Sequence, residues 1–151
     1  MTARPPGPGW LPTRQDRADL GKQTTGLLRA LGPDSTAVAR ALGAAGVTGE
    51  PTDARQCALA VYLRAVMEGD HRVNSVRVFH DRVVVGTPGR IRRHRVNVAL
   101  PPAVRAFVAG FDARRFPALV RGPAQPRPVR PAPAAAGPGT PQSSAAGGPL
   151  R

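Results

Sequence analysis

Apolar positions along this chain change their spacing once, and the change separates two kinds of element. In "PDSTAVARALGAAGVTGEP" the residues Val38, Ala39, Ala41, Leu42 and Ala45 fall on one side of a helix. Asp34 or Ser35 is placed to cap it, and Gly46 supplies the stop. "PTDARQCALAVYLRAVMEGD" predicts a stronger helix, with Leu59, Tyr62, Leu63 and Val66 in one stripe and Ala58, Val61 and Ala65 widening it. Asp53 and Gln56 have the spacing of a capping box, and Gly69 ends the segment. A helix apolar over so much of its circumference belongs at the centre of a core.

Past Gly69 the period falls from about 3.6 to 2. "RVNSVRVFHDRVVVGT" places two valine-rich runs around His80-Asp81, a hairpin pattern. A two-residue turn pairs Val78 with Val83 and Val76 with Val85, so four valines share one face. Arg77, Phe79, Arg82 and Val84 then share the other. His-Asp lacks the residues that primed turns favour, which leaves a longer loop as the alternative. "RVNVALPP" adds a third strand with Val96, Val98 and Leu100 inward and Arg95 and Asn97 outward. "PPAVRAFVAGFDARRFPALV" closes the series with a helix: Val104, Phe107, Val108 and Phe111 recur at i, i+3, i+4 and i+7, and Pro102 suits its first turn. Pro117 stops it, and Leu119 and Val120 are placed to tuck back onto the body.

The ends carry weaker signals. Leu20, Leu27, Leu28 and Leu31 could line a weak helix between Asp16 and Leu31, but Gly21, Gly26 and the Thr24-Thr25 pair count against it. From Gly122 onward there is no acid, no aromatic and no apolar period, so burial cannot offset the entropy of ordering. The pattern therefore predicts an α+β fold, a small three-stranded antiparallel sheet packed by two or three helices in the order α-α-β-β-β-α, with disordered Pro/Gly-rich tails. Residues 1–33 are expected to be a mostly disordered arm with a possible weak helix, 34–121 the single domain, and 122–151 a disordered tail.

Composition agrees with one domain: 151 residues include 17 glycines and 18 prolines, crowded towards the ends. Net charge is +13, spread as +3, +7 and +3 over those three regions. Such an excess attracts polyanions, yet only Lys22 among the 22 basic residues is lysine, which points to a high-GC coding bias as one source of the arginine. Cys57 is alone, no leader-like apolar stretch opens the sequence, and no run reaches the length of a membrane span. A cytoplasmic protein without membrane contact is expected.

Candidate chemistry is thin. Cys57 lies where the central helix begins, a position that could activate a thiol, but a nucleophile needs a base and His71, His80 and His94 fall on separate loops or strand ends. No spacing of Cys and His matches a metal site. "ADLGKQTTG" lacks the phosphate-loop pattern, with Asp16 in place of the first glycine and Gln23 after the lysine. No catalytic residue, cofactor, metal or small-molecule substrate is expected. What stands out is "GRIRRHRVNV": strand alternation sends Arg93 and Arg95 outward beside Arg77 and Arg82, a candidate phosphate-binding face. The same alternation turns Arg92 and His94 towards the valines unless the strand begins near Arg95.

From the central helix onward the element order resembles a double-stranded-RNA-binding domain, but "PPAVR" replaces the basic cluster which that family has at its final helix. "CALAVYLRAV", the valine hairpin and "ALPPAVRAFVAGFDARRFPALV" together resemble small uncharacterised α+β proteins of high-GC actinobacteria, over about residues 35–121. That group has no assigned activity to carry over. The expectation is a non-enzymatic macromolecule-binding module, acting by protein–protein contact or self-association. The alternative is sequence-nonspecific DNA or RNA binding through Arg77, Arg82, Arg93 and Arg95.

Overall fold

The protein is described by a computed structural model covering residue 7, residues 9–89 and residues 94–122. Its elements run α1 (Arg14–Ala30), α2 (Ser35–Ala44), α3 (Ala58–Val66), β1 (Ser75–Val78), β2 (Arg82–Gly86), β3 (Arg95–Ala99) and α4 (Pro102–Asp112), followed by a 3-10 turn at Pro117–Leu119. The α+β class and the three-stranded antiparallel sheet are as the pattern predicts, in strand order β1-β2-β3. Among the described residues no helix is long and apolar enough to cross a membrane.

The hairpin has the expected register. Val76 pairs with Val85 and Val78 with Val83, and β3 adds Val98 opposite Val83 and Val96 opposite Val85. The turn is two residues long, closed by the Phe79 N–H donating to the Arg82 carbonyl at 2.8 Å. Neither His80 nor Asp81 takes a positive φ, so the connection is not a primed turn. The Asp81 carbonyl is instead engaged by the Leu100 N–H at 3.0 Å, which ties the turn to the end of β3.

Helices cover the valine face. α1 lies along β3, α3 along β1, and α2 packs on α4 and the 3-10 turn. Val76, Val78, Val83 and Val85 are buried together with Leu20, Leu59, Leu63 and Phe107. Phe107 stacks on Phe111 at 5.7 Å between ring centroids and meets Phe116 at 5.2 Å. Asp34 caps α2 by accepting from the Ala37 N–H at 2.8 Å, one of the two caps the sequence offered.

Two expectations need correction. Residues 1–33 are not mostly an arm: α1 is a 17-residue helix and belongs to the compact unit that ends at Arg121. The signal that outweighs its glycines is a capping box, in which Thr13 Oγ1 accepts from the Asp16 N–H at 3.0 Å and Asp16 Oδ2 accepts from the Thr13 N–H at 2.8 Å. Tertiary contact does the rest, burying Leu20, Thr24 and Leu28, while Thr24 Oγ1 satisfies itself on the Leu20 carbonyl at 2.8 Å. Arg72 adds a cross-link, donating to Gln23 Oε1 of α1 at 2.7 Å while held by Asp70 at 2.8 Å.

The second correction concerns α3, which starts at Ala58 rather than behind Asp53. The Ala54 carbonyl accepts from the Val78 N–H at 2.7 Å and the Gln56 carbonyl from the Glu50 N–H at 2.8 Å. Carbonyls turned to those distant donors cannot begin a helical ladder. Asp53 caps the preceding turn instead, accepting from the Arg55 and Gln56 N–H groups at 2.8 and 3.1 Å.

The far end of the unit is clasped. Gly49 donates to the Leu119 carbonyl and accepts from the Arg121 N–H, both at 2.8 Å, forming a parallel bridge to Val120. A Cβ at Gly49 would collide with the backbone of Gln56 and Ala58, so only glycine fits there. The expected tail, apart from Gly122, lies outside the described residues.

Candidate functional site

The sheet face away from the helices is where the sequence-predicted arginines meet. Pairing sets them in rows: Arg77 opposite Val84 opposite Asn97, Ser75 opposite Gly86 opposite Arg95, and Arg82 opposite Ala99. Arg77 and Arg82 are therefore diagonal neighbours on adjacent strands, about 7–8 Å apart at their backbones. Arg95 stands on the third strand at the other end of the face. Together they rim a shallow concavity of about 420 Å³ whose floor is Val84 and Phe79.

Local chemistry shapes each member. Arg82 lies over the Phe79 ring, its Cζ 5.3 Å from the centroid, and Asp81 Oδ2 is 3.2 Å from Arg82 Nη1. That pair is half in water, so the carboxylate holds the guanidinium only weakly. Among the described residues Arg77 and Arg95 make no ion pair, and no carboxylate lines the concavity. A Cβ at Gly86 would collide with Ser75 Oγ, so glycine leaves room for that hydroxyl in the row that ends at Arg95.

Arg93 falls among residues 90–93, outside the described residues; the other three predicted arginines, Arg77, Arg82 and Arg95, lie on the described face. β3 begins at Arg95, the later of the two starts that the sequence left open. His94 precedes it, and its carbonyl accepts from both the N–H and the hydroxyl of Thr87, at 2.8 and 2.7 Å.

A second cleft, of about 240 Å³, brings Cys57 and His80 to common walls with Asp53 and Asp112. The juxtaposition was not legible from the separate positions of these residues. Its chemistry runs against a nucleophile. Burial pushes the Cys57 thiol up to about 11, and the Asp112 and Asp53 carboxylates push the same way. Sγ accepts from the Ala60 N–H at 3.4 Å as the N-cap of α3, and the nearest charged partner of His80 is Asp81, at 3.9 Å. The thiol caps a helix here.

A third cleft, of about 670 Å³, runs between α1 and the outer edge of β3, with Lys22 and Arg29 on its helical wall. Sequence reading missed it because it exists only once α1 is folded. Compared with protein-family models, curated proteins and solved structures, the chain matches none of them.

Proposed function

We propose that this chain is a non-enzymatic binding module of the cytoplasm whose open sheet face grips the phosphate backbone of a nucleic acid without reading its sequence. The observation that carries this reading is the convergence of Arg77, Arg82 and Arg95 from three strands on a concavity that, among the described residues, no carboxylate lines. A guanidinium binds phosphate through two parallel N–H donors, so rigid strands that fix three of them pre-pay much of the ordering cost. Phe79 offers a single stacking position, already shared with Arg82, which suits a grip on backbone better than a platform for successive bases.

The test is titration of labelled duplex DNA and duplex RNA with the full chain at two salt concentrations. Three neutralised phosphates contribute about −2.7 to the slope of log K against log salt on a DNA duplex. Replacing Arg77 and Arg95 together with Ala should flatten the slope by about 1.8 and weaken DNA and RNA alike. Affinity that ignores salt, or that survives the double replacement, sinks the reading. A protein partner, the other expectation from the sequence, is favoured by a different surface, the edge of β3.

A further inference from the structure

β2 is saturated on both sides. Its even-numbered residues bond β1, as the Phe79–Arg82 closure indicates, and its odd-numbered ones bond β3, as the Asp81–Leu100 and Thr87–His94 bonds indicate. By the same alternation Val96 and Val98 turn their backbone groups to β2, while Arg95, Asn97 and Ala99 turn theirs outward. Among the described residues no hydrogen bond from outside the sheet reaches those outward groups. The opposite edge differs: on β1 the Val78 N–H is already given to the Ala54 carbonyl.

The free edge opens into the cleft beneath α1. Ala18, Gly21 and Thr25 make a low helical wall, and a Cβ at Gly26 would meet no atom within 4 Å. Lys22 and Arg29, both exposed, stand along that wall, while Arg95 projects from the strand towards the open sheet face. Among the described residues no carboxylate lines the cleft. An extended chain laid here finds three N–H and three carbonyl groups of β3 in line and cations above and below.

We infer that the β3 edge takes an acidic, extended peptide segment of a partner protein, which adds as a fourth strand between β3 and α1. Charge chooses this occupant over the alternatives. A second copy would bring the same cations to the seam, and like charges across an interface oppose docking. The chain's own residues from 123 onward hold three arginines, no acid and frequent proline, which cannot donate to a ladder. This inference does not depend on the phosphate grip of the open face.

The experiment uses the full chain, a labelled decapeptide of alternating Glu and Val, and the same peptide with Lys in place of Glu. Binding is read by fluorescence anisotropy, and amide exchange by NMR. The Glu peptide should bind, the Lys peptide should not, and the Arg95, Asn97 and Ala99 amides should gain protection. Lys22→Glu with Arg29→Glu should weaken binding by about tenfold, since two exposed attractions become repulsions. Arg77→Ala should leave it unchanged. Three results overturn the inference: no binding of the Glu peptide, binding without protection at those three amides, or protection there in the free chain. In the last case light scattering tells a second copy from the chain's own segment.

Discussion

A Cβ added to Gly21 of α1 would lie 3.4 Å from Cγ1 of Val96 of β3, in ordinary van der Waals contact. A methyl group at Gly21 would thus just fill the seam between the first helix and the last strand. Gly26, one and a half turns on, faces open space. The two glycines therefore respond differently to substitution. Gly26→Ala should raise stability by about 1 kcal/mol through helix propensity alone. Gly21→Leu should lower it by about 1–3 kcal/mol by overpacking the seam. Urea denaturation of the two variants checks the signs, and a stabilising Gly21→Leu would mean that α1 is not held against β3.

Acid should loosen the same helix. The Asp16 carboxyl sits below its ordinary value of 3.8 because the Thr13 backbone N–H and then its hydroxyl bond it; Asp70 is lowered chiefly by its bonds from Arg72. A carboxyl with a depressed folded value stabilises fully above its unfolded value and stops doing so as pH falls through the folded one. Stability contributed by the two groups should thus hold down to about pH 5 and fall below about pH 4. Asp70→Asn should make that fall shallower. Urea midpoints across the range report it.

Removing the cap tests α1 more directly. Thr13→Ala leaves the first turn without its acceptor and should cost about 1 kcal/mol, within the usual range for capping threonines. Amide exchange should quicken first at the Asp16 N–H, which donates to that hydroxyl.

Cys57 should be chemically quiet. With the thiol raised to about 11, about one molecule in a thousand carries a thiolate at about pH 8. An aromatic disulfide reagent should therefore modify the native chain more than about a hundredfold slower than the urea-unfolded chain, where the ordinary value applies. Equal rates in the two states would show the cleft shared with His80 to be an activated site after all.

These tests also mark where the sequence was legible. The valine register could be read because a period of two leaves one pairing that puts Val76, Val78, Val83 and Val85 together on a buried face, and Arg77, Arg82 and Arg95 then follow by parity. α1 was underrated because propensity counts Gly21 and Gly26 as losses, whereas the fold uses Gly21 as a point of contact. Its Thr13–Asp16 spacing was a readable signal. The late start of α3 was not readable, since it depends on Glu50 and Val78 claiming the Gln56 and Ala54 carbonyls. Nor was the β3 cleft, which needs a helix and a strand brought together from seventy residues apart.

The clasp at Gly49 fixes where this protein can be cut. A chain ended after Asp112 keeps α1 to α4 and the three strands yet strips the partners from both backbone groups of Gly49, setting free the connection that carries the helix cap Cys57. A chain ended after Gly122 keeps both bonds. The shortest piece worth expressing therefore runs past the last regular element, to a stretch that a reader of helices and strands alone would trim away.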